Sequence, residues 1–212
     1  MAYRETETVR ARKHGVRQDI LQAARALVTT GGFRAAQMAA VAERAGIATG
    51  TVYRYFPTQA ELFAEFFRIN SQREVDAFAA AATIGTNGAA RMQNAIETFM
   101  DRALRGRRLA YALIAEPADP LVEAERLVYR RAYARVVENL LRDGIAAGEF
   151  VAQDVKASAA ALVGALAESL LGPLAPRQMA GASRLRGVST ERRSPTQSIL
   201  EFSLRAVGAK EF

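Results

Sequence analysis

Apolar residues recur at helical spacing along almost the whole chain, and this pattern limits the fold more than any other feature of the sequence. We find no sustained alternation of apolar and polar residues and no Asn-Gly or Asp-Gly hairpin, so strands are not expected. Half of the 212 residues are apolar, which is enough for a sizeable core. The sequence therefore predicts an all-α fold of about nine helices.

Glycine, proline and capping residues mark where the predicted helices begin and end. Gly31-Gly32 ends the first helix, and Pro57 ends a helix over residues 49–56. Thr58 with Glu61 is a capping box that opens a long helix. That helix runs to about Ala82. Residues 172–194 are predicted to form a long loop. Further helices are predicted over residues 37–45, 89–105, 107–116, 120 to 144 or 148, 155–171 and 196–207.

Missing residue types exclude several chemistries. The chain has no cysteine, so disulfides, thiolate metal sites and cysteine nucleophiles are impossible. Its one histidine, His14, lies in a charged segment, which argues against histidine metal sites and His-dependent catalysis. We expect no catalytic residues, no metal and no cofactor. The polar N-terminus has no secretory signal and no apolar stretch reaches 18 residues, so we expect a cytoplasmic protein without a membrane span.

Positive charge is concentrated in two places. Residues 1–60 hold nine Arg or Lys against four Asp or Glu, and residues 177–193 hold a second basic cluster. A basic first quarter on a near-neutral remainder suggests a module that binds a polyanion, although a solvated basic leader would have the same composition.

Residues 38–56 have the spacing of a helix-turn-helix. Ala42 is small where two helices cross closely, and Gly46 can adopt the left-handed conformation of a tight turn. Ile47 and Val52 are predicted to pack against the first helix. The second helix then projects its polar residues outward, where Thr, Tyr and Arg side chains can contact phosphates and base edges in the major groove of DNA. Tyr55 and Phe56 are interpreted as core residues, whereas Tyr53 is expected to be exposed.

Several linked motifs in this region resemble the DNA-binding domain of TetR-family regulators. The resemblance covers about residues 15–65, and it rests on Ile20-Leu21-x-x-Ala24, Gly32-Phe33, Val41-Ala42, Ala45-Gly46-Ile47, Gly50-Thr51-Val52-Tyr53-Arg54-Tyr55-Phe56-Pro57 and Glu61-Leu62-Phe63.

The resemblance implies a DNA-binding domain over residues 1–60 and a helical bundle over residues 61–212 that binds an effector and forms a homodimer. It also implies roles for single residues. Thr49, Thr51 and Tyr53 contact DNA, and Gly50 allows the helix to approach DNA closely. Tyr55 packs within the domain and touches the DNA backbone. The full set of expected DNA-binding residues is Gln37, Thr49, Gly50, Thr51, Tyr53, Arg54 and Tyr55.

The sequence departs from the family pattern at the helix starts. Gln37 stands where a Thr or Ser usually opens the second helix, and Ala48 replaces a common Ser cap, which leaves Thr49 to serve. Gln59 stands where a phosphate-binding Lys is frequent. Each loss should weaken operator binding and reduce its salt dependence, and Arg34, Arg44 and Arg54 are expected to compensate.

The bundle is expected to hold an apolar or amphipathic effector between its helices. The candidate lining residues are Phe67, Met92, Ile96, Phe99, Met100, Tyr111, Tyr129, Tyr133 and Leu166. Glu116, Asn139 and Glu168 would orient a ligand if they face inward, but the favoured alternative is that they are solvated or pair with arginines. The candidate dimer-interface residues are Leu162, Val163, Leu166, Leu170, Ile199 and Phe202, with Ala159 and Gly164 as small residues that let helices approach. Plain core packing is the alternative for both sets.

These features favour a dimeric repressor that binds a palindromic operator and is released when a ligand tilts the helix opened by Thr58. Three alternatives stay open: an activator, a constitutive DNA-binding protein without a cavity, and an enzyme that uses a perturbed carboxylate pair in the bundle.

Overall fold

The computed structural model describes residues 7–176 and 194–209, and every regular element in these ranges is helical. The described residues form nine α-helices: α1 (Glu7–Gly31), α2 (Met38–Ala45), α3 (Thr49–Tyr55), α4 (Gln59–Ala81), α5 (Gly88–Arg105), α6 (Arg107–Ile114), α7 (Pro120–Ala146), α8 (Val155–Leu174) and α9 (Pro195–Ala206). A short 3-10 helix, Phe33–Ala35, follows α1. The predicted all-α fold is confirmed.

Side-chain caps begin the longer helices where the sequence predicted them. The Thr58 hydroxyl accepts a hydrogen bond from the Glu61 amide at 3.1 Å and opens α4. Asp119 caps α7 and Asp154 caps α8 in the same way, each through a carboxylate oxygen. These caps satisfy amide groups that have no partner inside the helix, so they fix the residue at which each helix starts.

Two predicted helix ends are wrong by a few residues. The amides of Ala115 and Glu116 both donate to the Tyr111 carbonyl, which ends α6 at Ile114 rather than at residue 116. Helix α8 passes through Pro173 to Leu174, so residues 172–174 of the predicted loop are helical. The core holds this last turn, because Leu170 and Leu174 are both buried. Residues 177–193 of that predicted loop, with their basic cluster, lie outside the described residues.

Two apolar cores divide the molecule, and α4 contributes to both. The first core joins α1, α2, α3 and the first half of α4, and it also contains Leu109 and Ala112 of α6 and Val122 of α7. The second core joins Phe78 of α4 to helices α5, α7, α8 and α9. Helices α4 and α7 therefore both run from one core to the other.

Helix α8 is long and apolar enough, by length and composition, to cross a membrane. One such helix is weak evidence for a span, because a core helix passes the same test. Leu162, Leu166, Leu170 and Leu174 bury one face of α8 in the second core, whereas only 28% of its most apolar window is buried.

Candidate nucleic-acid interface and ligand cavity

The turn between α2 and α3 has the geometry that the sequence predicted. Gly46 adopts φ 67° and ψ 31°, and its amide donates to the carbonyls of Ala42 and Glu43. The Ile47 amide donates to the Ala42 carbonyl at 3.0 Å, which closes the turn. Ala42 and Val52 are buried between the helices, and half-buried Ile47 packs against the same core.

Helix α3 presents a polar face to solvent. Val52 is fully buried, whereas its neighbour Tyr53 is 49% exposed. Thr49, Gly50 and Arg54 are exposed as well, and Thr51 is half-buried. The structure thus places the expected DNA-contacting residues of α3 on one accessible side, as a recognition helix requires.

The aromatic residues at the end of α3 hold the unit together. Phe56 is buried, and the Arg17 guanidinium lies 4.9 Å from the centre of its ring. Tyr55 is half-buried against the first core, with Arg54 5.7 Å from its ring centre. These positions confirm the interpretation of Tyr55 and Phe56 as packing residues.

Helices α2 and α3 both start without a side-chain cap, which corrects two expectations. Gln37 occupies the cap position of α2, but its side-chain amide donates to the Arg34 carbonyl instead. Ala48 occupies the cap position of α3, and Thr49 is the first helical residue rather than the cap. The first amides of α2 therefore have no side-chain cap.

The basic residues near this face divide into paired and unpaired groups. Arg17 lies 2.9 Å from Glu65 of α4, so it ties α1 to α4 and is not free for a phosphate. The hydrogen bond from Arg17, outweighing the effect of burial, lowers the pKa of Glu65. Arg34 and Arg44 are exposed and form no ion pair with the described residues.

A polar junction connects the first core to the bundle. Arg108 of α6 donates to the Gly31 carbonyl at 3.2 Å and to Glu116 at 2.8 Å. Glu116 is buried and also accepts from the Phe33 amide at 3.4 Å. A second link joins Arg25 of α1 to buried Asn70 of α4 at 3.0 Å.

A cavity of about 380 Å³ lies in the bundle. Helices α4, α5, α6, α7 and α8 form its wall, and Arg25 of α1 also lines it. Its aromatic side is a cluster in which the Tyr133 ring packs against Phe78 and Phe99, with centroids 5.2 and 5.5 Å away. Burial, with a smaller effect of the Glu74 carboxylate, raises the pKa of Tyr133 well above its ordinary value.

Five of the nine expected lining residues line this cavity: Phe67, Phe99, Tyr129, Tyr133 and Leu166. Met92, Ile96 and Met100 do not, because α5 turns them into the second core, where each is almost fully buried. Tyr111 does not line it either, since its ring packs against the second core with the Arg108 guanidinium 5.6 Å from the ring centre.

None of the three polar candidates lines this cavity, which agrees with the favoured alternative that they are solvated or pair with arginines. Glu116 belongs to the junction with Arg108. Asn139 is exposed and accepts a hydrogen bond from Arg142. Glu168 is exposed and lines only a neighbouring cavity.

Sequence reasoning missed the charged lining of the cavity, which consists of Arg25, Glu74, Arg102, Arg105, Arg126 and Arg130. Arg126 is 8% exposed and donates to the carbonyls of Ala112, Leu113 and Glu116. A signal for it existed, because Arg126 follows buried Val122 by four residues and therefore shares its helix face.

Most of the expected dimer-interface residues are buried within the chain itself. The second core buries five of these residues, which leaves them no surface for a partner: Ala159, Leu162, Leu166, Leu170 and Ile199. Val163 lines the cavity. Phe202 differs because it is 48% exposed, and Gly164 is exposed on α8.

Two family models match the chain. The model described as bacterial regulatory proteins of the tetR family matches residues 20–66, and the tetracyclin repressor-like C-terminal domain matches residues 85–171. The first match spans the helix-turn-helix, and the second spans helices that form the cavity.

Among curated relatives, the chain is 51% identical over 61 residues to the HTH-type transcriptional repressor KstR of Rhodococcus jostii, an alignment that covers 26% of this chain and 29% of KstR. The KstR of Mycobacterium tuberculosis is 44% identical over 70 residues, covering 31% of this chain and 32% of that protein. The matching segment thus spans about a third of the length of these relatives.

Solved structures extend the likeness to the whole fold. FadR from Bacillus subtilis, in complex with stearoyl-CoA, superposes with a TM-score of 0.70 at 16% identity, covering 90% of this chain and 98% of FadR. RolR in complex with resorcinol superposes with a TM-score of 0.69 at 19% identity, covering 94% of this chain and 91% of RolR. The helix-turn-helix, the cavity-bearing bundle and both family matches lead to one conclusion: the chain belongs to the TetR family of bacterial regulatory proteins.

Proposed function

We propose that the protein is a cytoplasmic, homodimeric transcriptional repressor that binds a palindromic operator and is released from it by a small molecule. In this proposal residues 1–60 bind DNA, and residues 61–212 bind the effector and form the dimer. One observation carries it: an exposed polar face on α3 is connected through α4 to a bundle that encloses a cavity.

Operator contact is assigned to α3 and to the basic groups around it. Thr49, Thr51 and Tyr53 would reach base edges and phosphates, and Gly50 has no side chain to hold the backbone away from DNA. The exposed guanidinium groups of Arg34, Arg44 and Arg54 would contact phosphates, since they are not neutralised by described carboxylates.

Dimerisation is assigned to the outer faces of α8 and α9. The exposed side of α8 carries small residues, Ala157, Ala160, Ala161 and Gly164, that would let a second helix approach closely. The half-exposed Phe202 ring on α9 adds an apolar contact. A second copy on this surface would account for an apolar helix that is little buried in one chain, and it would place two recognition helices on a two-fold axis.

Release is assigned to two contacts between the cavity and the first core. Arg25 lines the cavity and holds Asn70, so a ligand beside it acts on α1 and α4 together. Arg126 also lines the cavity and holds the carbonyl of Glu116, whose side chain holds the Phe33 amide. A coupling of about 1–3 kcal/mol through these contacts would change operator affinity appreciably.

The cavity favours a ligand-responsive regulator over a constitutive DNA-binding protein. It gives no support to an enzyme of the bundle, because Glu74 is the one carboxylate among its described lining residues and is bound by Arg102 at 2.6 and 2.9 Å. Acid-base chemistry by a carboxylate pair would need a second such group.

A gel-shift titration with the purified protein on its own promoter region tests the proposal. We expect a retarded complex at low salt, with two copies of the chain per site by sedimentation. A promoter fused to a reporter gene then distinguishes repression from activation. The absence of a complex at low salt, or a monomer in sedimentation, would overturn the proposal.

A further inference from the structure

We propose that the cavity binds an amphipathic anion, a carboxylate of about a dozen non-hydrogen atoms whose charged end lies beside Arg105 and Arg130. This inference rests on the proposed ligand-responsive function and specifies its effector class. It follows from the charge, the free hydrogen-bonding groups and the size of the cavity.

The charged groups of the cavity wall are strongly unbalanced. Five arginines and one glutamate line it. The glutamate, Glu74, is already neutralised by Arg102. Arg126 is held by backbone carbonyls and by Glu123, and Arg25 is held by the neutral amide of Asn70. A positive field therefore remains in the cavity after all these contacts are made.

Arg105 and Arg130 carry the positive charge that no described residue neutralises. Both line the cavity, both are exposed, and neither forms a hydrogen bond or an ion pair with the described residues. Exposed arginines at a cavity wall place the positive charge on its solvent side. Arginine binds carboxylates through two parallel N–H groups, so an anionic end group is the complementary partner.

The inner part of the cavity is apolar. Phe67, Phe78, Phe99, Leu109 and Leu166 surround it. Buried among them, Ser71 is 5% exposed, and its hydroxyl has no hydrogen-bond partner in the described part of the chain. One polar group in the ligand's body, such as a hydroxyl or a keto oxygen, would find a donor there, whereas a purely hydrophilic ligand would not be favoured.

The volume sets the scale of the ligand. At roughly 30 Å³ per non-hydrogen atom, a cavity of about 380 Å³ holds on the order of a dozen atoms. A second cavity lies next to it and shares Ile114, Arg126, Arg130 and Ala167 with it. Arg130 therefore lies where a ligand would pass from one cavity to the other.

Calorimetric titration of the full-length protein with two matched probes tests the inference. Decanoate and decan-1-ol have the same chain length and differ in charge. We expect decanoate to bind at least tenfold more tightly, and its affinity to fall as salt is raised from 50 to 500 mM while that of decanol does not. Equal affinity for the two probes, or no binding of decanoate at millimolar concentration, would overturn the inference.

Substitutions at Arg105 and Arg130 test whether these two arginines bind the anionic end of the ligand. The double variant Arg105→Gln, Arg130→Gln should lose most of the preference for decanoate over decanol, because both exposed side chains can change without disturbing the core. Arg131→Gln is the matched control, since Arg131 is the exposed neighbour of Arg130 on α7 and does not line the cavity. An unchanged preference in the double variant would assign the anion to another site.

Gel shifts with decanoate separate this inference from the proposed function. If decanoate binds through Arg105 and Arg130 but leaves the DNA complex intact, the effector class stands and ligand release fails. If the protein forms no DNA complex at all, the repressor function fails while the calorimetric result for the cavity is unaffected.

Discussion

The two cores of this molecule arrange charge in opposite ways. In the first core, around α1, α2 and α3, apolar side chains fill the interior and the polar groups of α3 lie on the outside. In the bundle, arginines line a cavity between five helices, and one of them, Arg126, is buried. In the proposed function, DNA would bind outside the first core, so its contact residues would contribute little to that core's stability. A ligand in the cavity would instead contact residues that also stabilise the bundle.

The strongest test of this contrast is removal of the buried charge. We expect Arg126→Met to lower the free energy of unfolding by about 3 kcal/mol, because three backbone carbonyls lose their donor and Phe67 loses the guanidinium 5.7 Å from its ring centre. Urea denaturation measures the change. Arg142→Met, on the same helix, removes an exposed ion pair with Glu138 and should change stability by less than about 1 kcal/mol. Equal effects would mean that burial of Arg126 does not matter.

The sequence predicts the exposed site better than the buried one, for a physical reason. Helical periodicity identifies which residues face the core, so residues between them, such as Tyr53, must face solvent. The interior offers no such rule. Met92 and Phe99 lie on the same helix with similar composition around them, yet only Phe99 lines the cavity, because a cavity arises from how five helices meet.

Polar contacts between residues far apart in the chain could not be predicted from the sequence either. Pairing of Glu116 with an arginine was expected, but neither its partner Arg108 nor its contact with the Phe33 amide, 83 residues away in the chain, could be identified. Local signals worked where the interaction is local: the caps by Thr58, Asp119 and Asp154 join residues two or three positions apart. At the starts of α2 and α3 the same signals were weak, and no side-chain cap forms there.

Alanine substitutions at two glycines test whether an added Cβ destabilises the junction between the regions more than it destabilises the first core. Gly32 adopts φ 73° and ψ −170°, and an added Cβ would overlap the Arg108 guanidinium. We expect Gly32→Ala to lower the free energy of unfolding by about 2 kcal/mol. Gly46→Ala is the control, since Gly46 has φ 67° but open space around it, and its loss should be about 1 kcal/mol. Denaturant midpoints compare the two, and a larger loss at Gly46 would contradict the role of the junction.

Alanine substitution should affect DNA binding at Tyr53 and stability at Tyr133. Tyr53→Ala should weaken operator binding about tenfold in gel shifts and change stability by less than about 0.5 kcal/mol, because the side chain faces solvent. Tyr133→Ala should instead lower stability by about 2 kcal/mol, because its ring packs against Phe78 and Phe99. A large stability loss in Tyr53→Ala would show that its ring contributes to the core.

The smallest expected effect concerns the ion pair that ties α1 to the first half of α4 within the first core. Arg17 lowers the pKa of Glu65 from its ordinary value of 4.5, so as the pH falls the unfolded chain takes up this proton before the folded chain does. The stabilisation is therefore present above about pH 4.5 and is lost as the pH falls through the lowered pKa. Glu65→Gln should remove less than about 1 kcal/mol at pH 7, and its difference from the unaltered protein should shrink towards pH 3 in urea titrations. Glu97→Gln, on α5 and bonded only to Gln93 among described residues, is the control for removal of a carboxylate that has no arginine partner. A Glu65→Gln difference that grew on acidification would reverse the sign assigned to the pair.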